Sequence, residues 1–262
     1  MYKMLEKVRT QKPIIHHLTN WVTIYDCANI VKVLGGSPVM AHAKEEVESM
    51  AAIASALVLN IGTLTPEFVE SMKLAAKSAN KKGIPVVLDV CGAGATALRD
   101  NKCFELLDSA KIDIIKGNSS EIARIAGENV STKGVDATDV GKDLMKIAFS
   151  LASKRSCTVV ITGKEDIVTD KEKTYIIKNG TDMMANIVGT GCMATSVIGT
   201  FSAVHENLAQ AAAAGLSLFE IAAEQAHTES TGPGSFKEKL FDKVFLLDEK
   251  SEKMQKIERT VK

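Results

Sequence analysis

A chain of 262 residues, 45% of them hydrophobic and 24% charged, is long and apolar enough to bury a sizeable core. Its 32 Lys and Arg balance its 32 Asp and Glu, which excludes the basic surplus that draws proteins to nucleic acid or anionic membranes. No apolar run is long enough to span a bilayer, and the opening MYKMLEKVRT is charged every few residues rather than apolar, so a cytoplasmic protein is expected.

The first expected strand covers 14–18 and carries His16-His17. A helix over 22–34 follows and stops at Gly35-Gly36, a plausible C-cap. After a strand at 38–40, a helix over 44–55 opens with Glu45 and Glu46, the charge sign its dipole prefers. A strand at 56–60 leads to Thr65-Pro66, an N-cap with proline at the first helical position, and the helix it starts runs to Lys82-Gly83. Strands at 85–89 and 112–116, a polar loop over 127–136, a helix over 138–154 and a strand at 158–162 come next. Short strands at 167–168, 174–178 and 183–187 surround turns at Asp170-Lys171 and Asn179-Gly180. Helices over 192–205 and 208–228 follow, and beyond G-P-G-S the mixed-charge tail reads as helical. The runs A-L-V-L-N, P-V-V-L-D and V-V-I-T are apolar at nearly every position, as strands covered on both faces are. The expected architecture is one α/β domain over 1–262: three layers, α/β/α, around a mostly parallel sheet with an antiparallel patch late in the chain.

The chemistry-bearing residues cluster where strands end, the edge at which parallel sheets gather ligands. Asp89 ends V-V-L-D and runs into V-C-G-A-G-A-T, which lacks the third glycine of a dinucleotide fingerprint. A carboxylate there suits a hydrated Mg²⁺ near phosphates, or merely caps a turn. In K-G-N-S-S-E, Asn118 and Glu121 have capping-box spacing, the plainer reading; the functional one sends Glu121 toward a metal and Lys116 toward a phosphate. I-T-G-K-E has Thr158 where a Walker A loop needs its first glycine, which leaves Thr162 as a phosphate contact. N-I-V-G-T-G-C-M-A-T-S-V turns on glycines into a helix. The amides of Gly189, Thr190 and Gly191 can form an anion hole, or the turn can be tight for steric reasons alone. Cys192, at the mouth of that helix, is in the position that lowers a thiol pKa. The five cysteines, at 27, 91, 103, 157 and 192, show no C-x-x-C spacing and read as free thiols. The histidines show no H-x-x-x-H spacing and read as structural. Two carboxylates, a cation, a threonine and an anion hole on one rim describe Mg²⁺-dependent phosphoryl transfer.

The sequence resembles the hydroxyethylthiazole kinase family of the ribokinase-like superfamily. The likeness rests on H-H-L-T-N-W-V at 16–22, G-G-S-P-V-M-A-H-A-K-E-E at 35–46, L-V-L-N-I-G-T-L-T at 57–65, G-N-S-S-E at 117–121, G-T-G-C at 189–192 and G-P-G-S-F at 232–236. It implies a ribokinase-like fold and transfer of phosphate from ATP, with Mg²⁺, to the primary hydroxyl of 4-methyl-5-(2-hydroxyethyl)thiazole for thiamine salvage. By motif it implies Met40, Gly189 and Asn20 at the thiazole, Lys116 and Thr162 at ATP, Asp89 and Glu121 serving Mg²⁺, and Cys192 facing the substrate hydroxyl. It further implies a homotrimer with the thiazole pocket between subunits, so that Asn20 and Met40 would meet a neighbour's catalytic edge. The family pattern has Pro-Val-Gly where this chain has Val90-Cys91-Gly92, Arg where Lys116 stands, and Asn where His17 stands. A kinase of another small heterocyclic alcohol such as hydroxymethylpyrimidine, and a catalytically weak thiazole-binding protein, are the alternatives.

Overall fold

The computed structural model describes residues 1–128 and 141–261. Most of the expected loop over 127–136, and the start of the helix expected at 138, lie outside these residues.

Nine strands form one sheet in the order β2-β1-β3-β4-β5-β6-β7-β8-β9. β1 (Ile14–Leu18), β2 (Ser37–Val39), β3 (Ala56–Asn60), β4 (Val86–Asp89), β5 (Ile114–Asn118) and β6 (Thr158–Thr162) are mutually parallel. β7 (Asp166–Thr169), β8 (Lys173–Ile177) and β9 (Ile257–Val261) extend the sheet antiparallel. The two-residue period of a strand divides each apolar run between two layers. In A-L-V-L-N, Ala56 and Val58 pack with α1 (Tyr2–Gln11), α2 (Ile24–Leu34), α8 (Thr190–Ser202), α9 (Leu208–Glu229) and α10 (Pro233–Leu246). Leu57 and Leu59 pack on the other face with α3 (Val47–Ile53), α4 (Pro66–Lys82), α5 (Ala97–Ser109), α6 (Ser119–Ala126) and α7 (Gly141–Arg155). Both faces are dry, so the central strands need apolar side chains at successive positions.

The helix ends follow local chemistry. Gly35 takes φ 106° after α2 and Gly83 φ 80° after α4, the left-handed conformation that spares glycine the Cβ clash. Thr65 Oγ1 accepts the Phe68 N–H at 3.1 Å, with Pro66 opening α4. Neither α1 nor α5 stood out from the sequence pattern. α1 is amphipathic, burying Met4, Leu5 and Val8.

Two expectations are corrected. Residues 183–187 do not form a strand: Asp182–Asn186 is a 3₁₀ helix whose start is capped by the Thr181 hydroxyl. The Thr190 hydroxyl donates to the carbonyls of Met184 at 3.0 Å and Ile187 at 3.3 Å, so this segment is tied to the start of α8 instead of a sheet edge. The place beside β8 is taken by the chain's last segment, expected to be helical. That tail is helical through Leu246, then forms a 3₁₀ turn at Glu249–Met254, and ends as β9, with Ile177 opposite Ile257 and Lys173 opposite Val261. The β-branched Ile257, Thr260 and Val261 carry a strand signal that the surrounding charges mask. The expected helix at 192–205 begins earlier, at Thr190, and ends at Ser202. Among the described residues no helix is long and apolar enough to cross a membrane.

Candidate active site

Parallel pairing sets polar strand ends side by side. Asn60 lies opposite Asp89, and Asp89 opposite Lys116. Thr162 lies opposite Asn118 on the next strand. Asn20 is two residues beyond Leu18, which pairs with Leu59. Above this edge stands the start of α8. Gly189 turns into it at φ 100°, and the first intrahelical bond runs from the Met193 N–H to the Gly189 carbonyl at 2.8 Å. The amides of Thr190, Gly191 and Cys192 therefore precede the helical ladder and carry the positive end of its dipole.

Lys116 is drawn under that turn. It is 4% exposed and ion-paired to Asp89 Oδ2 at 3.3 Å. A Cβ built on Gly191 would sit 3.2 Å from its Nζ, so the ammonium lies against the glycine backbone and adds a full charge to the dipole end. Burial opposes that charge, but the Asp89 and Glu121 carboxylates outweigh it and raise the Lys116 pKa. Asp89, 1% exposed, also accepts the Thr195 hydroxyl at 2.7 Å on Oδ2. Its other oxygen, Oδ1, is buried with no hydrogen-bond partner.

Cys192 is ringed by donors. The Asn20 amide reaches its sulfur at 3.2 Å and the Asn60 amide at 3.4 Å. Neither amide is free to turn its oxygen inward. Asn20 Oδ1 accepts from the Thr23 N–H and hydroxyl at 3.1 and 3.0 Å. Asn60 Oδ1 accepts from the Gly62 N–H at 2.8 Å and from Asn20 at 3.1 Å. The neighbouring Cys91 thiol is the main cause that lowers the Cys192 pKa to about 6. Burial and Asp89 oppose it, and Thr23 and Lys116 assist it.

Glu121 does both things the sequence offered. Its Oε2 accepts the Asn118 N–H at 2.7 Å while Asn118 Oδ1 accepts the Glu121 N–H at 2.9 Å, a closed capping box. Its Oε1 accepts the Gly92 N–H at 2.7 Å and so fastens the glycine loop after Asp89. Burial raises its pKa, which the two backbone donors only partly offset.

The structure thus brings Asn20, Asp89, Lys116, Glu121, Gly189, Thr190, Gly191 and Cys192 together, with Thr162 one strand beyond Lys116. Met40 is not in the cluster: it follows β2, with β1 between that strand and β3. One expectation is corrected. Asn20, expected to meet a neighbour's edge, stands at its own chain's edge and bonds Cys192, because β1 lies beside β3. The histidines each make hydrogen bonds. His17 bonds Ser196, one helical turn beyond Cys192 on α8, and burial lowers its pKa to about 4, so it is neutral.

Sequence reasoning missed Asn60, Cys91, Thr195 and Arg99. Asn60 ends A-L-V-L-N as Asp89 ends V-V-L-D, a signal that was present. Thr195 is one helical turn beyond Gly191, on the face that meets Asp89. Arg99 is not legible locally: its guanidinium donates to the carbonyls of Ile61 at 2.9 Å, Gly62 at 2.8 Å and Cys91 at 3.2 Å, binding the loops after β3 and β4 together. A cavity of about 850 Å³ lined by Lys7, Pro85, Lys111, Asp113 and Ser202 opens at the opposite, amino-terminal edge, away from all of these residues.

Among the described residues no three His, Cys, Asp or Glu side chains converge on a metal position. The orphaned Asp89 Oδ1 fits a Mg²⁺ held mostly by phosphates and water, since that ion commonly takes only one or two carboxylates from the protein.

A family profile described as the hydroxyethylthiazole kinase family matches residues 5–250. The chain is 54% identical over 259 residues to the hydroxyethylthiazole kinase of Methanosarcina mazei, covering 98% of this chain and 99% of that one. A solved hydroxyethylthiazole kinase protein from Pyrococcus horikoshii OT3 superposes with a TM-score of 0.90 at 38% identity, covering 99% of this chain and 98% of that one. A ribokinase-like superfamily protein from Enterococcus faecalis V583 shares the fold at 13% identity, with a TM-score of 0.65 over 93% and 94% of the two chains.

Proposed function

The chain belongs to the hydroxyethylthiazole kinase family, and from that premise we propose that the start of α8 is where the γ-phosphoryl group of ATP passes to the primary hydroxyl of hydroxyethylthiazole. The reaction is that of the family, an alcohol phosphotransfer with ATP as co-substrate. The observation that carries the assignment of its site is the conjunction of unpaired helix-start amides with the Lys116 ammonium beneath Gly191.

Phosphoryl transfer spreads negative charge over the moving group, so positioning and electrostatic stabilisation dominate. The amides of Thr190, Gly191 and Cys192 and the Lys116 ammonium face that charge. Asp89 Oδ1, together with Glu121, would hold Mg²⁺, which would supply positive charge to neutralise the phosphates of ATP. Thr162 supplies a hydroxyl for ATP, and Asn20 and Asn60 fix the Cys192 sulfur. The substrate oxygen forms its bond to phosphorus as the bond to ADP breaks, and its proton passes to the Cys192 thiolate. Gly189 lines the thiazole. Mass detection of the phosphate ester after incubation with Mg-ATP and hydroxyethylthiazole tests the whole reading; ATP binding without ester refutes it.

The lowered Cys192 pKa has a kinetic consequence. Below about pH 6 the sulfur is protonated and cannot accept a proton, so kcat/KM is expected to rise with pH through that region and then level. Cys192→Asp is expected to remain active, with the limb moved to lower pH, because a carboxylate accepts the same donors. Cys192→Ala is expected to lose about 10²–10⁴-fold in kcat, the usual worth of a general base. A folded but inactive Cys192→Asp enzyme refutes the proton-accepting role.

The same proposal includes a homotrimer in the cytoplasm, with Met40 reaching a neighbour's thiazole pocket. It is supported by apolar side chains that flank the edge while exposed: Trp21 at 48%, Val22 at 68%, Tyr25 at 76% and Val188 at 71%. Light scattering is expected to give three times the 28.1 kDa chain mass, and Tyr25→Glu to lower it; a monomer at micromolar concentration refutes the trimer.

A further inference from the structure

Arg99 reaches two loops that lead to different ends of the reaction. It stands in the first turn of α5, where Thr96 Oγ1 accepts its N–H at 3.3 Å. Its Nη1 donates to the Ile61 carbonyl at 2.9 Å and to the Cys91 carbonyl at 3.2 Å, and its Nη2 to the Gly62 carbonyl at 2.8 Å. A Cβ built on Gly92 would stand 2.9 Å from Nη1, so the guanidinium lies against that turn. The neighbouring carboxylate, Asp100, is taken by Arg124 at 2.7 Å, which leaves Arg99 to the three carbonyls. A planar fork holds several acceptors at fixed spacing, and a point charge on a flexible stem does not.

Ile61 and Gly62 follow Asn60, whose Oδ1 accepts the Gly62 N–H at 2.8 Å and whose amide reaches the Cys192 sulfur at 3.4 Å. Cys91 is two residues beyond Asp89, and the next residue, Gly92, donates its N–H to Glu121 Oε1 at 2.7 Å. The first loop thus sets the side of the alcohol and the second the side of ATP. Strand pairing joins Asn60 to Asp89, and the Ile61 N–H still reaches the Asp89 carbonyl at 3.3 Å. Beyond that bond the two chains part, and the Arg99 fork spans the gap. We propose that Arg99 is a positioning residue that holds the acceptor alcohol in line with the γ-phosphoryl group. The proposal rests on the reading of the α8 start as the transfer site. In-line transfer tolerates little error, and a misplacement of about 1 Å costs about 10²-fold in rate. Binding of each substrate by itself needs only its own loop. Loss of the fork is therefore felt in kcat and hardly in either KM.

The test compares the full chain with Arg99→Met, which keeps the apolar stem and loses every donor, and with Arg99→Lys, which keeps the charge and loses the fork. For Arg99→Met the expected kcat is about 10²-fold lower, with the KM of ATP and of hydroxyethylthiazole each within about threefold of wild type. Arg99→Lys is expected to recover little of this loss, because one ammonium cannot bridge both loops. A signature read without substrates accompanies it. The chain's one tryptophan, Trp21, donates its backbone N–H to Thr63 Oγ1 at 3.2 Å, beside the loop that Arg99 holds, so its fluorescence is expected to shift in both variants. A kcat within about threefold of wild type in Arg99→Met overturns the proposal. So does a loss confined to the KM of ATP, which makes Arg99 a phosphate ligand, and so does a variant that fails to fold, which makes it a tie of the whole domain. A wild-type chain that makes no phosphate ester overturns the reading of the reaction instead; the Trp21 shift, which needs no substrate, still decides whether Arg99 ties the two loops.

Discussion

Asp89→Asn is expected to leave a folded protein that has lost about 10²–10³-fold in kcat and about 3–5 kcal/mol of stability. Both losses have one origin. Asp89 and Lys116 are a nearly fully buried pair, and removing one member leaves the other charge in low dielectric. The asparagine keeps an oxygen for the Thr195 hydroxyl, so packing is conserved and the loss is electrostatic. The same substitution removes the buried acceptor Oδ1 that has no protein partner and is assigned to Mg²⁺. Urea unfolding and initial rates at saturating ATP measure the two effects. A wild-type kcat excludes Asp89 from the reacting centre; a wild-type unfolding midpoint excludes the pair as a structural element. The pH dependence has a definite sign. Pairing raises the Lys116 pKa above its ordinary value of 10.5, so its contribution is fully present below that value and is lost as the pH rises through the folded pKa.

Gly189→Ala is the second large effect. Gly189 has φ 100°, where an L side chain costs about 1–2 kcal/mol. A Cβ there would also stand 2.7 Å from Thr23 Cγ2 and 3.2 Å from Thr23 Cβ. Thr23 is short, β-branched and bonded through its hydroxyl to Asn20, so it has no flexible end to give way. The turn must shift, and the amides of Thr190 and Gly191 lose their aim. The expected fall in kcat is about 10²–10³-fold, the usual cost of losing such donors, with a lowered Tm and an unchanged far-ultraviolet circular dichroism spectrum. Gly191→Ala is the contrast. Its Cβ would meet only the end of Lys116, at 3.2 Å, a flexible side chain that can give, so its effect is expected to be smaller. Equal and slight effects at both glycines exclude the start of α8 as the phosphoryl cradle.

The ends of β1, β3 and β6 were legible to the residue because the signal is local: an apolar run of strand length closed by a polar residue or turn. Asp89, Lys116, Glu121 and the Gly189–Cys192 turn were legible as candidates for the same reason. What the pattern left open was each residue's duty. Glu121 was offered as either a cap or a site residue, and its two oxygens take one backbone donor from each duty. Asn60 passed unnoticed although it ends a strand as Asp89 does, because a neutral amide does not announce itself as chemistry until a sulfur is beside it. β9 was hidden because a strand of five residues with two adjacent charges shows its identity only once β8 offers it an edge.

Sequence alone therefore determined the alternation of strands and helices, the positions at which the chain stops and turns, and the motifs that mark the family, all properties of neighbouring residues. The tertiary structure decided which of those ends stand side by side. Asn20 and Cys192 are 172 residues apart in the chain and 3.2 Å apart in space, and Asp89 and Thr195 are separated by 106 residues and 2.7 Å. Distances like these are fixed by sheet register and by the packing of α8 across β3 and β4, which no local spacing encodes.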